Sequence, residues 1–519
     1  MIKKAKKRLY SINSSDLESN NIFEQDNINK YLLKLHNRFV IVPVDKANNN
    51  FAIICKNFYI QILKQELGIN NANDIKGNAV YEPCTISIED FFIEQELANK
   101  ELGIDLEEDN RYIPSLYWTS KQHKNPYKFR FIAGASRCTN KTISIELALA
   151  LKCIKTHFKN YCKVIKNNNG LNYYWSIDNS TEFLDKVSSI DKADSIETFD
   201  FSTLYTNLPL ENIYNNLECL IIKMFANSGS NSMLINADRR KAFWSQSSTR
   251  SGYREYTLDR LLDALKFVLY NSYVKFGGTF FKQIQGIPMG GNASPFIADL
   301  YLAWDEYCFM EKLAKSQTLE DKILAKLLSN NSRYIDDIAV VNFLGFGSIS
   351  KLIYNPTLIL EGSDYGYHFD TFLDLLIRIH NNKWIIGIYH KVDDFDFDVI
   401  NFVFPTSNIE SATAYNSFYS QLIRFYRLCN NFADFSVRVD MLRDKLCSRG
   451  FNTKKLHKFF LKFCRNHPAC LVKFGYTDTE KLWSNTFISK PLVYNVQNTS
   501  EIQKRIQPCS ILLKNINDN

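Results

Sequence analysis

Three observations in the sequence predict an α+β protein of several subdomains. The chain has 519 residues, 45% hydrophobic and 14% aromatic, enough to bury two or three sizeable cores. Paired runs of β-branched and aromatic residues around short polar turns recur at 39–54, 334–341 and 373–389, the pattern of β-hairpins. Between and after them lie stretches with helical spacing, at 257–270, at 296–307 and beyond Pro405.

Charge and cysteine usage narrow the setting without naming a function. The net charge of +8, from 63 basic and 55 acidic residues, permits a polyanionic partner but does not require one. Twelve cysteines lie without framework spacing, and no apolar segment follows the basic start Lys3-Lys4-Ala5-Lys6-Lys7-Arg8. A reducing, intracellular setting is expected, nuclear or cytoplasmic. The basic start itself reads equally as an import signal or a nucleic-acid arm. No run of 18 apolar residues suggests a membrane span, so no membrane partner is expected.

Taken in order, residues 1–30 read as a polar arm. The hairpin at 39–54 has its polar turn at Asp45–Asn50 and carries Lys46 at the tip. The segment 120–130 places Lys121, Lys124, Lys128 and Arg130 in and around a proline-containing turn. At 198–210, Asp200 ends a short strand, Tyr205 follows five residues later, and Pro209 opens a helix, which aims a carboxylate and a ring into one cavity. The Ser/Asn/Arg-rich stretch 226–256 reads as a polar surface insertion.

A helix at 257–270 and a hairpin turning at Gly277-Gly278 lead to the loop Gln283–Pro295, which opens the helix at 296–307. Its glycines are expected to admit a bulky planar group such as a base or sugar. Then comes the tetrad Tyr334-Ile335-Asp336-Asp337 between Arg333 and the strand-like run Ile338–Val341. Two adjacent carboxylates in a turn repel each other unless a cation neutralises them, and a divalent metal is the simplest tenant. A hairpin over 373–389 has Lys383 near its turn. After Pro405, Phe418, Leu422, Phe425 and Tyr426 mark one face of a helix and Arg424 and Arg427 another.

An acid pair in a turn is ordinarily just solvated, so the joint order of these segments carries the weight. Asp200 with Tyr205, the Gln285-Gly286-Ile287-Pro288-x-Gly290 loop with Ser294-Pro295, and Arg333–Asp337 resemble motifs A, B and C of reverse transcriptases, in their expected order. The chain most resembles the Penelope-like retroelement reverse transcriptases, relatives of telomerase catalytic subunits. The narrower likeness lies in Val44–Asn48, Lys121–Lys124, Thr206–Pro209, Phe372–Leu375, Ile388–Lys391 and Arg449–Phe451, and it spans about residues 39 to 465.

The resemblance implies a right-hand polymerase fold and an RNA-directed DNA polymerase. Fingers would span 31–195, a palm with an antiparallel sheet and helices 196–404, a mostly helical thumb 405–485 and a polar tail 486–519. Its partners would be an RNA template, a DNA primer and dNTPs. Two Mg²⁺ ions, or Mn²⁺, roughly 3.5–4 Å apart would activate the primer 3′-hydroxyl and stabilise the leaving pyrophosphate. Asp200 and Asp336 are the expected metal ligands, with the Phe201 backbone carbonyl. Asp337, on the opposite strand face from Asp336, would support the site. Lys46, Arg130, Tyr205, Gln285 and Gly290 would bind the nucleotide, and Tyr205 would collide with a ribose 2′-hydroxyl. Lys121, Lys124, Tyr334, Tyr389 and Lys391 would contact template or primer, although Lys121 and Lys124 suit a triphosphate as well.

Departures from the family pattern remove no catalytic group. Gly291-Asn292-Ala293 replaces Ser-Pro-Leu, Ala47 replaces a finger glycine, and Phe131 stands where proline is usual. No carboxy-terminal GIY-YIG nuclease domain is expected, because Gly387-Ile388-Tyr389 sits inside the palm pattern. A pre-existing 3′ end or a separate nuclease would then supply the primer. Cys464-x2-His467-x2-Cys470 lacks a fourth ligand for zinc. The rival readings are a telomerase-like polymerase copying a dedicated template and a catalytically inactive, domesticated nucleic-acid binder.

Overall fold

The computed structural model of the chain describes residues 25–486, apart from 72–73, 123–126, 203, 247–249, 288–289, 364 and 408. The polar arm through residue 24, the tail from 487, Lys124 and the Pro288-Met289 pair lie outside the described residues.

The first lobe is a four-stranded sheet. Strand β1 (Phe39–Val44) pairs antiparallel with β2 (Ala47–Cys55), β3 (Leu116–Lys121) pairs antiparallel with β4 (Lys128–Ala133), and the order is β2-β1-β3-β4. Strand alternation decides what is buried: Val42, Val44 and Ala52 point inward, while Ile41 and Ile53 are exposed on the other face. The hairpin turn is shorter than its polar sequence suggests. Only Asp45 and Lys46 form it, with Lys46 at φ 63°, and Asn48–Asn50 already belong to β2. Proline 43 lacks an N–H for the ladder, and the register shifts between it and Val44, which lets Ala47 pair directly with Val44.

Four helices build the main core. They are α1 (Lys141–Asn169), α2 (Leu210–Ser228), α3 (Leu258–Tyr270) and α4 (Ser294–Lys315). Their inward positions, among them Leu151, Phe158, Leu217, Leu265 and Leu300, are fully buried, each worth about 1.5–3 kcal/mol relative to exposure. The segment 226–256 departs from its predicted surface role. Strand Ser232–Asn236 is buried along its length between Lys241–Ser245 and Arg254–Thr257. Its polar residues sit in the turns, while Met233, Ile235 and Tyr256 join the core, and Tyr256 Oη donates to Glu146 of α1 at 2.6 Å.

The central sheet is antiparallel, with β5 (Ile196–Phe201), β6 (Ser332–Tyr334), β7 (Asp337–Val341) and β8 (Leu360–Gly362) in the order β6-β7-β5-β8. Beyond it, β9 (Phe369–Phe372), β10 (Leu375–His380) and β11 (Lys383–Ile388) form an antiparallel meander, with Lys383 just after the turn, where the sequence puts it. Helices α5 (Ser411–Leu428), α6 (Phe432–Ser448) and α7 (Thr453–Asn466) make a second core around Phe418, Leu422, Phe425, Val439 and Phe460. Residues 391–404 run from the meander back across the first lobe. Val392, Phe395, Phe397 and Val399 pack into that lobe's core, and Ile400 N–H donates to Asn50 Oδ1 at 3.3 Å.

Candidate active site

The site forms where β5 and β7 lie side by side. Their register sets Asp200 directly opposite Asp337, and the Phe201 N–H donates to the Asp336 carbonyl at 3.2 Å. The tetrad folds as strand, turn and strand, but the turn is Ile335-Asp336 rather than the acid pair, and Asp337 already opens β7. Ile335 holds a φ of 56° in that turn, an unfavourable conformation for a β-branched side chain. Such strain persists only when the surroundings fix it.

Arg333 is that fixture. Its side chain is fully buried (0% exposed), and Nη1 donates to the Ile335 carbonyl at 2.9 Å and to Asp299 Oδ1 at 2.8 Å. Its Nε donates to Glu306 Oε1 at 2.5 Å. Asp299 also binds Lys155 at 2.8 Å and accepts from Ser176 Oγ at 2.8 Å, and Glu306 accepts from Tyr354 Oη at 2.9 Å. Two cations thus face two carboxylates, and the buried charge is balanced. Sequence reasoning missed Asp299, Glu306 and Lys155 as supports. The available signal was Asp299, an acid inside the apolar first half of α4, and Glu306 seven residues, about two turns, further on.

The acid cluster is electrostatically tense. Burial raises the Asp337 carboxyl to about 6, and repulsion from Asp336 and Asp200 adds to it. Burial and then Asp200 raise Asp336 in the same direction. Three cations work against this. Lys391 and Lys46 favour the charged form of Asp337, and Arg130 and Lys391 that of Asp336. Burial first, and then Lys391, lower the Lys46 ammonium to about 8. Tyr205 stands beside the cluster, its phenol pushed up by burial and by Asp336.

Seven of the expected residues therefore meet: Asp200, Asp336, Asp337, Tyr205, Lys46, Arg130 and Lys391. Lys391, read from sequence as a primer contact, faces Lys46, read as a nucleotide contact. The others have different surroundings. Gln285 Nε2 donates to the Asn207 carbonyl at 2.7 Å and ties its loop to the segment after Asp200. Tyr334 is half-buried against the second core, and Tyr389 Oη donates to Asp394. Lys121 ends β3, one residue past Ser120, whose carbonyl accepts from the Asp45 N–H at 3.1 Å.

The loop glycines at 286 and 290 are required by packing within the chain itself. A Cβ on Gly286 (φ 80°) would lie 2.3 Å from the Tyr205 carbonyl, and one on Gly290 (φ 111°) 2.4 Å from the Ala133 carbonyl. The close approach is to the protein's own backbone. Gly286 N–H donates to Leu208 and Ile287 N–H to Tyr205, both at 2.8 Å, so the loop is zipped onto residues 205–208.

Among the described residues, no three His, Cys, Asp or Glu side chains form a ready metal cage. Magnesium does not need one, since it commonly uses one or two carboxylates and completes its shell with water and phosphate. Asp200, Asp336 and the Phe201 carbonyl are hard oxygen donors of that kind. The Asp336 and Asp337 carboxyls, raised by burial and then by their acidic neighbours, are the groups a divalent cation would relieve.

No protein-family model matches the chain, and no curated protein matches it. Among solved structures it is similar to a Candida albicans telomerase in complex with a fragment of telomeric RNA. The TM-score is 0.57 at 11% identity, over 88% of this chain and 70% of that one. It also aligns with the apo telomerase of Candida tropicalis, at a TM-score of 0.42 and 11% identity over 95% and 82% of the two chains. The first likeness shows a shared fold, and the second is too loose to add to it.

Proposed function

We propose that this chain is an RNA-directed DNA polymerase that extends a primer 3′ end with deoxynucleotides. The observation that carries the reading is the meeting of Asp200, Asp336 and Asp337, from adjacent strands, with Lys46, Arg130 and Lys391. One sign of charge suits metal and the other suits the phosphates of a nucleotide. In this reading residues 31–195 serve as fingers, 196–404 as palm and 405–485 as thumb.

Asp200 and Asp336, with the Phe201 carbonyl, would hold two Mg²⁺ ions, whose chemistry is to lower the pKa of the attacking hydroxyl and neutralise the departing pyrophosphate. The chain's own residues do the rest. Arg130 grips phosphate oxygens with its planar fork, and Lys46 and Lys391 act as point charges. Tyr205, beside Asp336, limits the space under the sugar and favours a deoxyribose. Rate enhancement then comes from positioning and charge neutralisation rather than covalent chemistry.

The lineage reading is a Penelope-like retroelement enzyme, on the motif spacing. The telomerase fold likeness favours a telomerase-like polymerase about equally. Primer extension on arbitrary RNA templates, run against protein freed of co-purified RNA, separates the two. Activity on any RNA supports the retroelement reading, and dependence on one bound RNA supports the other. The polymerase reading itself predicts labelled DNA product with Mg²⁺ and a loss of more than about 100-fold in Asp336→Ala. Undiminished product from that variant would sink it.

A further inference from the structure

We propose that Asp45 is a positioning residue for Arg130, holding its guanidinium ready for the phosphates of the incoming nucleotide. The inference rests on the polymerase reading. Asp45 sits in the two-residue turn after β1, and Arg130 lies on β4, two strands away in the sheet. The Asp45 N–H is fixed to the Ser120 carbonyl at 3.1 Å, so its side chain leaves a rigid point. Arg130 Nη1 then forms an ion pair with Asp45 Oδ1 at 3.0 Å.

The pair is asymmetric, and the asymmetry points to function. Asp45 is 8% exposed, whereas the Arg130 side chain is 37% exposed. The other carboxylate oxygen, Asp45 Oδ2, is buried and makes no hydrogen bond among the described residues. An ion pair serving architecture alone would satisfy both oxygens or bury both partners, because a buried, half-paired carboxylate is costly. Here the anion is sunk into the sheet and the cation is left half-open. Its charge reaches the acid cluster, acting on both Asp336 and Tyr205.

The neighbourhood explains why an anchor is required. Lys46, Lys391 and Arg130 repel one another, and both of the others lower the Lys46 ammonium. An arginine without an anchor would swing away from two lysines toward solvent. Asp45 opposes that swing through one of the five guanidinium donors and leaves the rest of the fork for phosphate oxygens.

The test is steady-state primer extension on an RNA template with varied dNTP, comparing wild type, Asp45→Asn, Asp45→Ala, Arg130→Ala and the Asp45→Ala/Arg130→Ala double variant. Asp45→Ala is expected to raise the dNTP KM about tenfold, while kcat stays within about threefold. Because Asp45 also supports the charge of neighbouring Lys46, the double variant is expected to lose much less than the product of the two single losses rather than to match Arg130→Ala. A wild-type KM in the Asp45 variants would overturn the proposal. So would a fall in kcat at unchanged KM, or a double variant whose loss is the product of the two single losses. If Asp45→Ala does not fold, the isosteric Asp45→Asn decides by the same KM criterion. A wild type that makes no product overturns the polymerase reading first. An active wild type with indifferent Asp45 variants overturns this inference alone.

Discussion

At the scale of single residues, the site stores repulsion that a cation relieves, and this has a pH signature. The Asp337 carboxyl titrates near 6 in the folded chain, above its ordinary value, so the fold binds its proton more tightly than the unfolded chain does. The stability it contributes is complete below the unfolded pKa and is lost as pH rises through about 6. With chelator present, Asp337→Asn should therefore be more stable than wild type at pH 8, by on the order of 1–3 kcal/mol. The gap should close as pH falls toward 4, and Mg²⁺ should narrow it at pH 8. Melting curves across that range, with and without Mg²⁺, check both. Arg333 tests the support of the same turn. Arg333→Met leaves Glu306 as a buried charge without its cation and Asp299 with Lys155 alone, and should cost about 3–5 kcal/mol in denaturant unfolding.

At the scale of elements, the loop at 285–290 acts as a strap across the segment that follows Asp200. Gly286→Ala combines a positive φ with a Cβ placed 2.3 Å from the Tyr205 carbonyl, so the zipper to residues 205–208 must open. Primer extension by this variant should fall at least tenfold, and its ribonucleotide discrimination should weaken as Tyr205 shifts. Unaltered sugar selectivity would detach the loop from the filter. Hairpins were legible in the sequence because period-2 patterning and turn residues are local: 332–341, 375–388 and the helices at 258–270 and 411–428 lie close to where the pattern put them. The shortened turn at Asp45-Lys46 was not, because it depends on proline 43 breaking a ladder with a partner strand. Nor was the burial of Ser232–Asn236, where polar turns outweighed five residues of strand. The acids were legible as a pair. Their support by Arg333, Asp299 and Glu306 was not, since it joins residues that only the packing of α4 against the sheet brings together.

At the scale of the whole molecule, residues 391–404 bind the first lobe to the C-terminal helices and so close the chain around the acid cluster. One end of the segment carries Lys391 to Lys46. The segment is held from the helical side at two points, where Arg438 reaches Asp393 at 2.6 Å and Arg449 Nη2 donates to the Val399 carbonyl at 2.9 Å. Val399 is 2% exposed, with its side chain in the first-lobe core. One short segment thus shares two hydrophobic cores that are far apart in sequence, and it couples their unfolding. Val399→Asp places an unpaired carboxylate in that core, a penalty of several kcal/mol that the segment avoids by detaching. Calorimetry of the wild type should then show these two units melting together, and Val399→Asp should split them into two transitions, the helical one little changed in temperature. Lys391 would leave the cluster with the segment, so the dNTP KM should rise in the same variant at temperatures where both units remain folded. A single transition merely shifted downward would mean that the two units are coupled through contacts outside this segment.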